Sequence, residues 1–255
     1  MRADAHYVDQ LEMRRVSTDD ARPLTTSAQA HIAAPSQSRH DQPVVNEGDL
    51  ARSLTSVLSC TDLLDEGMPQ LTRRVAVDMI RAETQRAICA LRTAAVLKQG
   101  IGEERRVVLP RVVVDRISQM IDADVRLRGS RLGKAVTVAD DVTLRINEDA
   151  MVNGLSAVAL MMSACLNNTH GAQVDVEVGS TPSGRVSLTI RQELVILPEA
   201  CLKAANGRGE LASNPTVAPL VALRQIAESH GGSLAITRLP HGTQVSVELG
   251  GFGAS

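Results

Sequence analysis

Leu223-Arg224-Gln225-Ile226-Ala227-Glu228-Ser229-His230-Gly231-Gly232-Ser233-Leu234, followed shortly by His241-Gly242-Thr243-Gln244-Val245, is the densest run of structural signals in this sequence. From Pro219 onward the apolar residues return every three or four positions, which predicts a helix over residues 219–229 with proline in its first turn, where the missing N–H costs nothing. Gly231 and Gly232 stop that helix, because glycine enters the left-handed conformation without steric penalty. Residues 233–237 and 243–249 then alternate around Pro240-His241-Gly242, the pattern of a closing β-hairpin.

Working back from this stretch, the same reading gives a mixed domain. Residues 107–109 read as a short strand, 110–121 as a helix opened by Pro110, 134–146 as alternating strand material and 149–166 as a long helix. Residues 173–178 and 185–191 form a second hairpin around Thr181-Pro182-Ser183-Gly184. Helices laid on one face of a mixed sheet give an α+β sandwich.

Residues 49–99 carry a different pattern. Leu50, Leu54, Val57, Leu58 and Leu64 recur at helical spacing, and after Gly67-Met68-Pro69 so do Leu71, Val75, Met79, Ile88, Leu91 and Ala95. The Gly and Pro between them end one helix and start the next, so this is an antiparallel helical hairpin. A lone hairpin exposes too much apolar stripe, and a second copy in a dimeric four-helix bundle would cover it. Gly100-Ile101-Gly102 and the charged Glu103 to Arg106 read as a linker. Before the hairpin, residues 1–46 are polar, hold Pro23, Pro35 and Pro43, and show no sustained periodicity. The expected organisation is therefore a flexible tail over 1–46 with solvated His6, His31 and His40, a dimerisation hairpin over 47–100, and an α+β domain over 101–255.

Composition narrows the function classes. The 255 residues are 44% hydrophobic with a net charge of -2, and the aromatic share is only 1%, so the core is aliphatic. Near-balanced charge without aromatic stacking platforms argues against a nucleic-acid partner. Cys60, Cys89, Cys165 and Cys201 are widely separated, with no CxxC pair and no histidine at metal-ligand spacing, so they read as reduced, mostly buried structural residues, with no metal site. The start of the chain has no apolar signal core, and the apolar run over 157–162 is far too short for a membrane span. A cytoplasmic, soluble protein with no membrane partner is expected.

The stretch from Leu223 to Leu234 and the Gly242-Thr243 turn together resemble the last helix and hairpin of the GHKL ATPase domain of bacterial sensor histidine kinases. Asn147-Glu148-Asp149 before the long helix, the hairpin that closes at Arg191, and Pro198-Glu199 fall where that domain would put them. Further back, Gly48-Asp49-Leu50-Ala51-Arg52-Ser53-Leu54-Thr55-Ser56-Val57 resembles the phosphoacceptor box of the kinase hairpin, which reads His, acid, Leu, Arg, small, Pro, Leu, Thr. The resemblance covers residues 48–249 in the family's order. It implies a helical hairpin, a dimeric four-helix bundle, followed by an α+β sandwich of the GHKL ATPase type.

The departures bear on the chemistry that the resemblance implies. Gly48 stands at the phosphoacceptor position and offers no nucleophile, which leaves Asp49 as a helix N-terminal carboxylate. His40 would have to fold back along the hairpin to substitute. At the family's Mg²⁺-binding asparagine stands Ser163, with Ala159 one turn earlier, on a helix face that otherwise reads as core. Where the family has Asp-x-Gly-x-Gly against the adenine, this chain has Gln192-Glu193-Leu194-Val195-Ile196. Gln192 still has an amide oxygen, but Leu194 and Ile196 put branched side chains where the ligand should lie. The phosphate-facing Gly-x-Gly is matched by Val217-Ala218-Pro219, and proline removes one of the N–H donors such a loop needs. Gly207 and Gly209 read as a shortened remnant of the nucleotide lid.

The leading expectation is thus a pseudokinase of two-component signalling, with neither catalytic nor cofactor-binding residues. It would act as a homodimer that docks a response-regulator receiver domain or a sensor kinase through Asp49, Arg52, Ser53 and Ser56, which lie off the leucine stripe. Two alternatives stay open. A histidine phosphotransferase needs an accessible histidine near the hairpin. A divergent active kinase or ATPase needs Ser163 and Gln192 to take over the ATP and Mg²⁺ contacts.

Overall fold

The computed structural model describes residues 47–64, 67–122, 131–164, 173–205 and 217–251; the N-terminal tail, Cys165, Gly207 and Gly209 lie outside the described residues. In chain order the elements are α1 (Glu47–Thr61), a 3-10 turn (Asp62–Leu64), α2 (Gln70–Gln99), β1 (Arg106–Val108), α3 (Pro110–Asp122), β2 (Arg131–Val136), β3 (Leu144–Ile146) and α4 (Glu148–Ala164). There follow β4 (Gln173–Ser180), β5 (Val186–Gln192), α5 (Glu199–Ala205), α6 (Ala218–Ser229), β6 (Ser233–Arg238) and β7 (Thr243–Leu249).

Alternation along the strands becomes one five-stranded sheet in the order β2-β4-β5-β7-β6, with β2 parallel to β4 and the other pairs antiparallel. Val174, Val176 and Val178 of β4, Val186, Leu188 and Ile190 of β5, and Val245, Val247 and Leu249 of β7 all bury one face in the core. Helices α3, α4 and α6 supply the facing layer, through Val113, Ile117, Met151, Leu155, Leu220, Leu223 and Ile226 among others. Each fully buried aliphatic side chain of this kind contributes on the order of 1.5–3 kcal/mol. The opposite face is polar, and the hydroxyls of Thr189 and Ser246 hydrogen-bond there across β5 and β7 at 2.9 Å.

The structure departs from the sequence reading in two places. Residues 134–146 are not one strand. The run breaks after β2 at a turn around Ala139 and Asp140, and β3 leaves the large sheet to pair with β1 in a two-stranded antiparallel ladder. A short helix, α5, also follows Pro198, whose carbonyl accepts the N–H of Cys201 at 2.9 Å.

The end of α6 is built as its sequence indicates. Gly231 takes φ 67°, its N–H donates to Glu228 O at 2.9 Å, and the Gly232 N–H reaches back to Ala227 O at 2.8 Å. This is the paired bonding of a Schellman cap. Gly232 itself is needed for space and not for φ: a Cβ there would lie 2.4 Å from the Glu248 carbonyl oxygen.

The hairpin forms from α1 and α2 around Gly67-Met68-Pro69, and its contact is made by small residues, with Cys60 and Ala76 buried between the helices. Leu54, Leu58 and Leu71 point outward, with 50%, 67% and 73% of their surface exposed. The sequence reading placed Leu54 and Leu58 on one stripe with Leu50 and Val57. In the structure the latter two are half-buried, so the leucines of α1 divide between an inner and an outer face. No described helix is long and apolar enough to cross a membrane.

Candidate functional site

Beyond the hairpin, the residues singled out from the sequence lie at two helix ends and one sheet end. At the sheet end, β5 and β7 stop in register, Gln192 opposite Thr243. Gln192 is fully buried, and its Oε1 accepts two backbone N–H groups, from Leu194 at 2.7 Å and Val195 at 2.6 Å. The amide oxygen that the sequence left available for an adenine is therefore turned onto the loop that follows its own strand. Thr243 completes the arrangement, with its hydroxyl donating to Val195 O at 2.7 Å and accepting from Leu197 N–H at 3.1 Å. Gly242 must lack a side chain here, because a Cβ would lie 2.1 Å from the Gln192 carbonyl oxygen.

These bonds fix which loop residues face inward. Val195 and Leu197 are buried in the main core with Cys201, whereas Leu194 and Ile196 are about half exposed. The sequence assigned the blocking role to Leu194 and Ile196, but the side chains that fill the interior are their neighbours. The bonds accepted by Gln192 fold the chain back after β5 and turn Val195 inward.

The N-terminus of α6 has been turned inward in a similar way. Val217 is buried at the N-cap, Pro219 has no N–H, and the Leu220 N–H donates to Val217 O at 3.0 Å, the carbonyl that also accepts the first regular helix bond, from Val221. An anion-binding helix start needs such donors aimed outward. On α4, Ser163 is buried and its hydroxyl donates to Ala159 O at 2.7 Å, a back-bond within the helix. Asn153, which the sequence reading did not single out, is buried on the same helix, with its amide nitrogen donating to Asp149 O and its Oδ1 making no hydrogen bond. An asparagine inside an otherwise apolar helix was the signal that would have found it.

The start of α4 is held by several groups at once. Asn147 caps it through Oδ1, which accepts the Ala150 N–H at 3.0 Å. Arg116 on α3 donates to Glu148 at 2.6 Å and to Asp149 at 2.8 Å, and this hydrogen bond holds the Asp149 carboxyl below its usual range. The Asn147 N–H donates to Nε2 of His230 at 2.8 Å, while Nδ1 of the same ring lies 2.6 Å from Ile226 O. These partners assign the proton to Nδ1 of a neutral imidazole. Burial pushes the His230 pKa down, partly opposed by the Ile226 carbonyl, and Arg105 adds to the lowering.

On the hairpin, Gly48 and Asp49 lie in the first turn of α1, where side chains are outside the described set. Arg52 is exposed and Ser56 half-buried. Ser53, expected on the solvent face, instead donates to Glu83 of α2 at 2.9 Å, because a small hydroxyl can close the helix contact where a leucine would not fit. Of the described members of the set, Arg52 is exposed, while Ser53 and Ser56 lie nearer the α1–α2 contact. Cys60, Cys89 and Cys201 are buried thiols, and among the described residues no three His, Cys, Asp or Glu side chains gather as a metal site would require.

No family model matches the sequence, and no curated protein is similar to it. Solved structures are similar in fold. The Acinetobacter baumannii histidine kinase AdeS is 12% identical, with 79% of this chain and 96% of that one aligned at a TM-score of 0.51. ShkA, solved at full length in complex with AMPPNP, is 14% identical over 83% of this chain and 47% of that one, also at 0.51. A structure described as a bacterial phosphotransferase is 16% identical over 79% of this chain and 90% of that one, at 0.46. With a helical hairpin leading into a mixed sheet covered by helices on one face, the chain has a histidine-kinase-like fold.

Proposed function

We propose that this chain is a two-component signalling protein that docks a receiver domain or a sensor kinase through its hairpin and performs neither autophosphorylation nor ATP hydrolysis. The observation that carries the reading is the use of Gln192: both its accepted hydrogen bonds come from the chain's own backbone, and the loop they fix buries Val195 and Leu197. Pro219, which has no N–H, and the Leu220 N–H, which is bonded to Val217 O, weaken the phosphate end, and Gly48 offers no acceptor at the hairpin end. Each contact a ligand fails to make costs about 1–3 kcal/mol, so the losses together leave little affinity for a nucleotide.

Dimerisation belongs to the same proposal. Leu54, Leu58 and Leu71 lie exposed on the outer side of the hairpin, and burying them in a four-helix bundle with a second copy is the simplest way to cover them. On the partner side, Arg52 is an exposed member of the proposed docking set, with Asp49 one helical turn before it in sequence and Ser53 and Ser56 contributing from the edge of the α1–α2 contact.

The test combines two measurements on the full chain. Incubation with labelled ATP and Mg²⁺ should leave the protein unlabelled, and saturating ATP should leave its melting temperature unchanged. A ligand at a hundred times its Kd would stabilise by about 2.7 kcal/mol, which a thermal scan resolves. Label on the protein, or a clear upward shift, sinks the proposal in favour of a divergent kinase. Titration of a receiver domain against wild type and Arg52→Glu then tests docking, since reversing a rim charge should weaken binding and alter its salt dependence.

A further inference from the structure

We propose that α2 belongs to both parts of the molecule, so that the hairpin and the α+β part move as one rigid body and the α+β part serves as a fixed brace for the hairpin. This goes beyond the proposed function and does not depend on it.

The first ground is α4. A helix that lies on a sheet should bury one side and show the other to water, yet Met151 to Leu160 are buried without a break. What covers the outer side is the C-terminal half of α2. Cys89 packs there against Ala157 and Leu160 of α4, with Met120 of α3 at the margin. Farther along, Val96 and Leu97 pack against the main core itself. The contact is thus apolar and continuous with the core.

The second ground is the segment that joins the two parts. Residues 100–106 read from sequence as a linker, which in a hinged molecule would be free. Here Ile101 packs against the main core, and the Arg105 guanidinium donates to Ser229 O at the end of α6 at 2.6 Å. Swinging the hairpin away would return Leu160, Val96, Leu97 and Ile101 to water and break the Arg105 bond together. A single apolar seam pinned at both ends is a joint without a hinge. A partner bound to the hairpin therefore meets a surface of fixed orientation.

Native thiols report on this directly. Cys89 lies in the seam and Cys201 in the interior of the α+β part, and both are buried. The full chain would be treated with iodoacetamide, and the alkylation of each cysteine followed by mass spectrometry. Each rate is divided by its rate in denaturant, which removes differences in intrinsic reactivity between the two thiols. In one rigid body both thiols are released only by global opening, so their protection factors should agree within about tenfold. Protection of Cys89 weaker than that of Cys201 by more than about tenfold would mean that the hairpin undocks alone, and the brace is then wrong. Leu160→Glu should lower Cys89 protection by at least about tenfold, whether Cys201 follows or stays protected. Unchanged Cys89 protection in that variant would equally overturn the proposal.

Discussion

Replacing Gln192 with methionine separates the pseudokinase reading from its strongest rival by stability alone. The two side chains are close in size and flexibility, so packing in this fully buried position changes little. What disappears is the acceptor for the N–H groups of Leu194 and Val195. Two hydrogen bonds at about 1 kcal/mol each are lost, and the buried N–H of Val195 is left without a partner at a further cost of about 1–2 kcal/mol. Against this, the Gln192 Nε2, which is buried and makes no hydrogen bond, is removed, returning about 1 kcal/mol. The net loss is about 2–3 kcal/mol, or about 4–12 °C in melting temperature for a domain of this size. The chain has no Trp and one Tyr, so urea unfolding is best followed by far-ultraviolet circular dichroism. Thr243→Val, which removes the other staple on the same loop, should be of similar size, and the double variant should fall short of the sum because both residues hold one segment. If instead Gln192→Met costs less than about 0.5 kcal/mol, the amide is not spent on the loop and remains free to meet a ligand.

Other outcomes follow from the same geometry. Light scattering should give about twice the 27.2 kDa chain mass, and Leu54→Glu or Leu91→Glu, each at an exposed leucine of the hairpin, should reduce it; a monomer at high concentration would remove the bundle. Gly242→Ala drives a Cβ into the Gln192 carbonyl and should cost more than about 3 kcal/mol in urea unfolding, with a loss under 1 kcal/mol contradicting the close approach of β5 and β7. The pKa of His230 is lowered by folding, so the unfolded chain takes up the proton first: its contribution is complete above about pH 6.5 and is lost as pH falls from there through the folded-state value. Melting temperature should accordingly drop between pH 7.5 and 5.5 by more in wild type than in His230→Gln, and equal slopes would show that the Asn147 bond does not depend on the neutral ring.

Which parts of this were legible depended on how far a residue's role is set by its neighbours in sequence. The helix ending at Gly231 and the hairpin after it were legible because periodicity, a glycine cap and alternation are all local signals. The hairpin was legible as two helices but not in its facing. Spacing of three and four cannot say which of two adjacent faces meets the partner helix, and the hydrogen bond from Ser53 to Glu83 that settles it joins residues far apart in sequence. The short α5 lies below the length at which a helical period shows, and the break between β2 and β3 rests on a turn with neither Gly nor Pro to mark it. For Gln192 the sequence supplied an amide but not its direction, and the direction decides whether it serves a ligand or the chain.

The long helix α4 carried more information than its apolar face alone suggested. A helix covering one side of a sheet should show a polar side, and residues 150–164 have almost none beyond Asn153, Ser156 and Ser163. That composition already required a second cover, and α2 provides it through Cys89. The architecture of the α+β part rests on bonds made within the chain. Gly231 and Gly242 still make the cap and the close strand approach, whereas Gln192, Ser163 and the first N–H groups of α6 are bonded within the chain. Support for α2 needs only the sheet, the helix caps and the outer side of α4, and Cys89 meets Ala157 and Leu160 on that side.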